Sequence, residues 1–357
     1  MIDEYAAGLA DPAGRILCQR GDGLGGRLLT LLWTLRLARA VDAGLLMFWP
    51  KLDLFSYNDS VAGDLFDLYR LSSPPFRNRL QIVDGHCRKH FRWKAVNLGR
   101  NERHDPSDFV VPLDVDPWSQ DLPLIVGHWE GPMLMPGEDL AEAFAQMPRL
   151  FAGLPIRRDL MREIDRIAHE RRLSEAVAVH VRRGEIVRNL RAAVTEYRPD
   201  DPAGGDLLDV RVGTFARRCM SIENFAEPLR KFADEGRTIV VFSDETHVHE
   251  ELAHALGTSN VSPVAAFATR PFNALQQAFV ELCLMSRCLC IVGARSAYSW
   301  SANVIGANRR IDLNLRSRTA ADCAAFALHS VADELLSHPH RAQIEQRIHD
   351  AIVGLRG

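Results

Sequence analysis

A chain of 357 residues, 47% of them hydrophobic, exceeds the size that one core usually supports, so two domains of ordinary size are expected. With 43 basic against 46 acidic residues the net charge is -3, which gives no support to a nucleic-acid-coating or membrane-hugging protein and makes recognition local. The seven cysteines (Cys18, Cys87, Cys219, Cys283, Cys288, Cys290 and Cys323) include no C-x-x-C pair and read as reduced core residues, not as a disulfide framework or zinc ribbon. Charges interrupt every apolar stretch before about 18 residues. The acidic start Met1-Ile-Asp-Glu-Tyr5 is unlike a secretion signal. No transmembrane segment and a cytoplasmic location are therefore expected, with attachment to a membrane face left open.

In chain order, Arg15–Arg20 reads as a strand, Gly21–Arg27 as a glycine turn and Leu28–Val41 as a helix. The turn lets a backbone approach a ligand, and the helix start behind it offers N–H groups to an anion. Gly21, Gly23, Gly25 and Gly26 do not fit the G-x-G-x-x-G spacing, so on this loop alone a purely structural turn is the favoured reading. Gly44–Trp49 is a second strand stopped by Pro50. The pattern is then broken up to Pro123, apart from a short strand at Gln81–Asp84. Leu124–Trp129 reads as a strand and Asp139–Met147 as a helix; Leu150–Pro155 is the crossing into the second domain, and Asp159–Arg172 a helix with Leu160, Ile164 and Ile167 on one face.

Ala176–Val181 is an uninterrupted run of small and β-branched residues around His180, the pattern of a parallel strand covered on both faces. It ends abruptly in Arg182-Arg183-Gly184-Glu185. Ligands of open α/β sheets sit outside the carboxyl ends of strands, and two guanidinium forks there suit a phosphate or diphosphate; pairing with surface carboxylates is the alternative. Ile186–Arg211 has the composition of a mobile loop, and Val212–Ala233 reads as a helix. The strand Thr238–Phe242 ends on Ser243-Asp244-Glu245 and is followed by a helix over Thr246–Leu256. After Val261-Ser-Pro263 come a helix over Asn273–Met285, a strand at Cys288–Val292 and the helix opening Gly293–Trp300. Arg309–Asn314 is the last strand, and a helix over Ala332–Leu355 closes the chain.

Five stretches in this order resemble the GDP-fucose-dependent fucosyltransferase superfamily of α1,2-, α1,6- and protein O-fucosyltransferases, nearest the α1,6 branch with the rhizobial nodulation-factor enzymes. They are Gly23-Leu-Gly-Gly-Arg-Leu28, Leu150-Phe-Ala-Gly-Leu154, His180-Val-Arg-Arg183, Ser243-Asp244, and Glu281–Ser301 with Ser296-Ala-Tyr-Ser-Trp300. The resemblance implies an α/β GT-B fold of two facing Rossmann-like domains with parallel sheets. An N-terminal domain over residues 1–155 would lie on the acceptor side, a C-terminal domain over 156–330 would bind the GDP-sugar, and a helix over 331–357 would pack back. It further implies an inverting fucosyl transfer from GDP-fucose to a hydroxyl of a saccharide or glycoconjugate acceptor, with no metal and no other cofactor.

By the same resemblance, Arg182 would bind the β-phosphate, with Arg183 supporting it or holding the sheet rim. Ser296, the Ala297 amide, Tyr298, Gly25 and Gly26 would line the donor. Glu281 would read guanine, His180 would contact the base or fix the arginines, and Asp244 would meet the nucleotide or an arginine. Gly26 stands where relatives commonly have Asn or Asp, Ala297 where many have Ser or Thr, and Glu281 where they have Asp, which leaves another GDP-sugar, or a non-catalytic binding relative, as alternatives. An inverting transfer needs a carboxylate within reach of the acceptor hydroxyl, and that proton acceptor would be Glu185, unless it only pairs with an arginine, or Glu196, with an aspartate between 200 and 209 ranked behind them. His247-Val-His249-Glu250 lacks the i, i+4 spacing of a helical metal pair, and no G-x-x-x-x-G-K-[ST] loop is present.

Overall fold

The computed structural model describes residues 15–20, 23–40, 42–49, 61–73, 79–84, 94–95, 111–112, 124–127, 133–134, 138–267, 271–294, 296–313 and 319–354. Cys87, Trp93, Trp118 and Trp129 lie outside these residues, as does most of the stretch from Lys51 to Pro123. The chain forms two compact units. The first comprises Met1–Arg171 with Thr269–Arg287 and Ala297–Asn308, and the second comprises Arg172–Ala268 with Cys288–Ser296 and Arg309–Gly357.

In the first unit, β1 (Arg15–Gln19), β2 (Gly44–Trp49), β3 (Leu80–Asp84), β4 (Lys94–Ala95) and β6 (Leu124–Gly127) form a parallel sheet in the order β3-β2-β1-β6-β4; β5 (Val111–Pro112) and β7 (Met133–Leu134) pair separately. Helix α1 spans Leu24–Ala40, and every residue from Leu24 to Ala38 is buried. A helix buried on every side belongs inside a core, here with Arg27, Thr30, Thr34 and Arg36 buried among its leucines. It therefore begins four residues before the expected start, and Gly25 and Gly26 lie in its first turn rather than in a loop. A Cβ on Gly25 would stand 2.5 Å from the Tyr298 Cα and 2.6 Å from the Ala297 carbonyl oxygen. The glycine is there so that two backbones can touch, and tertiary packing overrides its poor helix propensity.

The short α2 (Leu68–Leu71) is followed by α3 (Leu140–Ala152) and α4 (Arg158–Glu170), so Leu150 and Phe151, expected in a crossing, belong to the last turn of α3. Edge-to-face contacts of Phe144 with Trp33 at 5.5 Å and with Trp300 at 5.6 Å join α3 to α1 and to the helix that carries Trp300.

The second unit is built on β8 (Val177–Val181), β9 (Ile239–Ser243), β10 (Val261–Pro263), β11 (Cys290–Gly293) and β12 (Arg309–Asp312), all parallel, in the order β10-β9-β8-β11-β12. All five residues of β8 are buried, as their composition required. Val177, Val179 and Val181 pack against Phe225, Leu229 and Phe232 of α7 (Ile222–Asp234) and against Leu252 of α8 (Val248–Leu256).

The expected loop at 186–211 is instead α5 (Gly184–Glu196) and α6 (Pro202–Arg218). Ile186, Leu190, Ala193 and Val194 recur at helical spacing on a buried face, and Asp201 caps α6 with Pro202 behind it. The acidic residues that made the stretch look like a loop, Glu196 and Asp206 among them, lie on the solvent face. The helix expected over 212–233 is two, broken at 219–221 between α6 and α7.

The single closing helix is likewise two. Here α12 (Ala332–Leu336) and α13 (Arg341–Gly354) are separated around Pro339, which cannot continue a helix, and the unforeseen α11 (Ala320–Ser330) precedes them behind a Thr319–Asp322 capping box. Leu190, Leu208, Phe215, Ile344, Ile348 and Ile352 share a second core among these helices. The remaining helices, α9 (Ala274–Ser286) and α10 (Ala297–Gly306), group with the first unit.

Candidate functional site

The order β10-β9-β8-β11-β12 reverses direction between β8 and β11. Such a switch point opens a crevice at the carboxyl ends of its two central strands. Register pairs His180 with Gly293 and Val181 with Ser243, so the residues that follow these pairs converge: Arg182 and Arg183 after β8, Asp244 and Glu245 after β9, and the buried Ser296 after β11.

The two arginines have different partners. Arg183 donates from Nε to Glu245 Oε2 at 2.9 Å and from Nη2 to the same oxygen at 2.7 Å, and Nη2 also reaches Glu251 Oε2 at 3.0 Å. Its side chain is only 13% exposed. Burial would lower its pKa, but the hydrogen bonds to Glu245 and Glu251 outweigh that and raise it. Arg182 is more open, 27% exposed, and among the described residues its guanidinium is engaged by Glu185 alone, at 2.8 Å. Sequence reasoning missed Glu245 as the partner of Arg183, although it stands next to Asp244, and missed Glu251, 68 positions away, which only folding brings near.

Asp244 accepts hydrogen bonds from the N–H groups of Gly184 at 3.2 Å and Glu185 at 2.7 Å. It thereby caps α5 from a neighbouring strand, which satisfies orphan donors and complements the helix dipole. A Cβ on Gly184 would come within 3.0 Å of the Asp244 carboxylate, so that glycine keeps the cap close. His180 is buried, and its pKa is pushed down to about 3 by burial first and then by the positive charges of Arg182 and Arg310, against a smaller opposing effect of Asp244. The ring is neutral at physiological pH and adds no charge to the strand end. Arg310 on β12, not anticipated from sequence, donates to Asp312 at 2.6 Å.

The other sequence-nominated residues are carried by helices. Glu196 is the last residue of α5, and eleven helical steps place it about 16 Å along the axis from Glu185. Gly25, Gly26, Glu281, Ala297 and Tyr298 belong to the first unit. There the Tyr298 hydroxyl donates to the Ala278 carbonyl at 2.5 Å, and Gln277 Nε2 donates to Glu281 Oε1 at 2.6 Å. Burial raises the Glu281 pKa, with the Gln277 bond opposing it. Among the described residues no group of three or more His, Cys, Asp or Glu is placed to hold a metal ion, and no helix is long and apolar enough to cross a membrane.

No family model and no curated protein matches the sequence. Among solved structures the chain is similar to the fucosyltransferase NodZ from Bradyrhizobium, at 13% identity over 81% of this chain and 91% of that one, with a TM-score of 0.42. It is also similar to POFUT1 in complex with GDP-fucose, at 13% identity over 86% and 100% of the two chains, with a TM-score of 0.45. A third similarity is to NodZ alpha-1,6-fucosyltransferase soaked with GDP-fucose, at 12% identity over 82% and 92%, with a TM-score of 0.45. These likenesses are distant, and the site stands on the chain's own geometry.

Proposed function

We propose that the chain is a glycosyltransferase of GT-B build, inverting and metal-independent, that moves fucose from GDP-fucose to a hydroxyl of a saccharide acceptor. The observation that carries this reading is the placement of Arg182 at a topological switch point, with an open guanidinium held by one carboxylate, beside a second arginine already committed to Glu245 and Glu251. A diphosphate entering the crevice takes the place of Glu185 on Arg182. Negative charge on the β-phosphate grows as the glycosidic bond breaks, so a preorganised guanidinium stabilises the transition state more than the bound donor. Arg183 and Asp244 hold the strand end and the first turn of α5, and neutral His180 adds a hydrogen bond without adding charge. The ordered motifs that resemble fucosyltransferases supply the identity of the sugar, and Glu281 supplies the guanine reader.

GDP is expected to raise the thermal unfolding temperature without any divalent cation, and UDP to raise it much less. A shift that requires Mg²⁺ or Mn²⁺, or that is equal for UDP, removes the reading. One observation favours a second reading, a GDP-sugar-binding protein without transfer: Glu185 is committed to Arg182 and Glu196 stands at the far end of α5. Turnover of GDP-fucose, by transfer or by slow hydrolysis, separates the two.

A further inference from the structure

At the C-terminal end of α5, where α12 gives way to α13, a cavity of about 540 Å³ is lined by Thr195, Arg198, Asp333, Glu334, Ser337 and His338, with His340 beside them. Its size is that of a small-molecule site. Arg198 is anchored through Nη1, which donates to the carbonyls of Tyr197 at 2.7 Å and Thr195 at 3.2 Å, and its Nε and Nη2 hydrogens are not spent on the described residues. His338 Nδ1 accepts from the backbone N–H of His340 at 3.1 Å. A ring nitrogen that accepts carries no proton, so the proton of the neutral imidazole sits on Nε2 as a donor. Burial, with His340 and Arg198 nearby, lowers the His338 pKa and keeps the ring in that neutral form. Thr195 Oγ1 donates to the Arg191 carbonyl at 2.9 Å and keeps its lone pairs as acceptors.

The lining thus holds donors, Arg198 and His338, together with acceptors, Asp333 and Thr195, and the Ser337 hydroxyl, which can do either. Its charges balance: Arg198 and Asp333 both line it, and Arg191 stands 3.6 Å from Glu334. A phosphate would meet the Asp333 and Glu334 carboxylates, and among the described residues no three His, Cys, Asp or Glu are placed to hold a metal ion. A sugar hydroxyl donates and accepts at once, and vicinal pairs of hydroxyls match the planar edges of a carboxylate and a guanidinium. We infer that this cavity binds a neutral saccharide. Thirteen residues of α5 hold it about 20 Å from the strand end that carries Arg182, so it is a second site and does not depend on the transferase reading.

Saturation-transfer NMR on the full chain tests it, with four neutral tetrasaccharides built from N-acetylglucosamine, glucose, mannose and galactose. At least one is expected to bind in the millimolar range, with its signal unchanged by GDP. Arg198→Ala and Asp333→Asn are each expected to weaken it about tenfold or more, because each removes a hydrogen bond from a charged partner. Both side chains are exposed, so thermal unfolding should not move; Ser337→Ala, outside any helix, replaces a variant that fails to fold. No saturation transfer from any of the four, an affinity unchanged in either variant, or displacement of the saccharide by inorganic phosphate overturns the assignment.

Discussion

Arg183 gives its Nε and Nη2 hydrogens to Glu245 and shares Nη2 with Glu251, whereas among the described residues Arg182 has Glu185 alone and is the more exposed of the two. Adjacent residues with the same side chain therefore answer different experiments. Arg183→Ala leaves the Glu245 carboxylate, 26% exposed, without its cation and is expected to cost about 3 kcal/mol in urea unfolding. Arg182→Ala breaks a more open pair and should cost less than about 1 kcal/mol, but should lower kcat by about 10²–10³ at saturating donor. Arg182→Lys keeps the charge without the planar fork and recovers only part of that loss. If Arg182→Ala unfolds the chain, or turns over normally, the roles given to the pair are wrong. That a strand ends in two arginines was legible in the sequence. Which of them is already engaged was not, since Glu251 comes from a helix 68 positions on.

Glycines of the first β–α connection act as elements of packing. Gly25 lies in the first turn of α1, and the space of its missing side chain is filled by the backbone of α10 at Ala297 and Tyr298. Alanine is ordinarily better than glycine in a helix by about 1 kcal/mol. Here the contact at 2.5 Å is with backbone, which cannot swing aside, so Gly25→Ala should destabilise by about 1–3 kcal/mol in a urea titration. A stabilised variant would mean that α1 and α10 do not approach as described. The same scale explains the main misreading of the chain. The stretch 186–211 is rich in charge, glycine and proline, yet Leu190, Val194 and Leu208 are fully buried, because α11 and α13 cover that face. A half-buried helix with an acidic outer face looks like a loop until its cover is known.

The stability of the whole chain should respond to acid through one buried imidazole. The folded state holds His180 at about 3 against an ordinary 6.5, so the unfolded chain takes up the proton first as pH falls. The stability that His180 contributes is complete above 6.5 and is lost progressively as pH falls towards 3. The slope is at most about 1.4 kcal/mol per pH unit, and it is cleanest above about pH 5, where carboxylates stay ionised. Urea midpoints should therefore drop between these limits in the wild type and drop less in His180→Asn. An equal slope in both proteins would mean that the ring is already solvated in the folded state.

By itself the sequence determined the parallel strands, because a run such as Val177–Val181 is stable only where both faces are covered, and it determined that guanidinium groups leave one of those strands at its carboxyl end. It also located the polar strand ends at Asp244 and Ser296. Tertiary structure decided what those groups do. It turned Asp244 into the cap of α5, committed Arg183 to two carboxylates, placed Glu196 about 16 Å along its helix from Glu185, and grouped Glu281, Ala297 and Tyr298 with the first unit. The physical reason is range. A strand or helix is encoded by periodicity within a few residues, whereas a hydrogen bond or an ion pair is a statement about distance, and residues 60 or more positions apart acquire that distance only when the sheet and its covering helices are assembled.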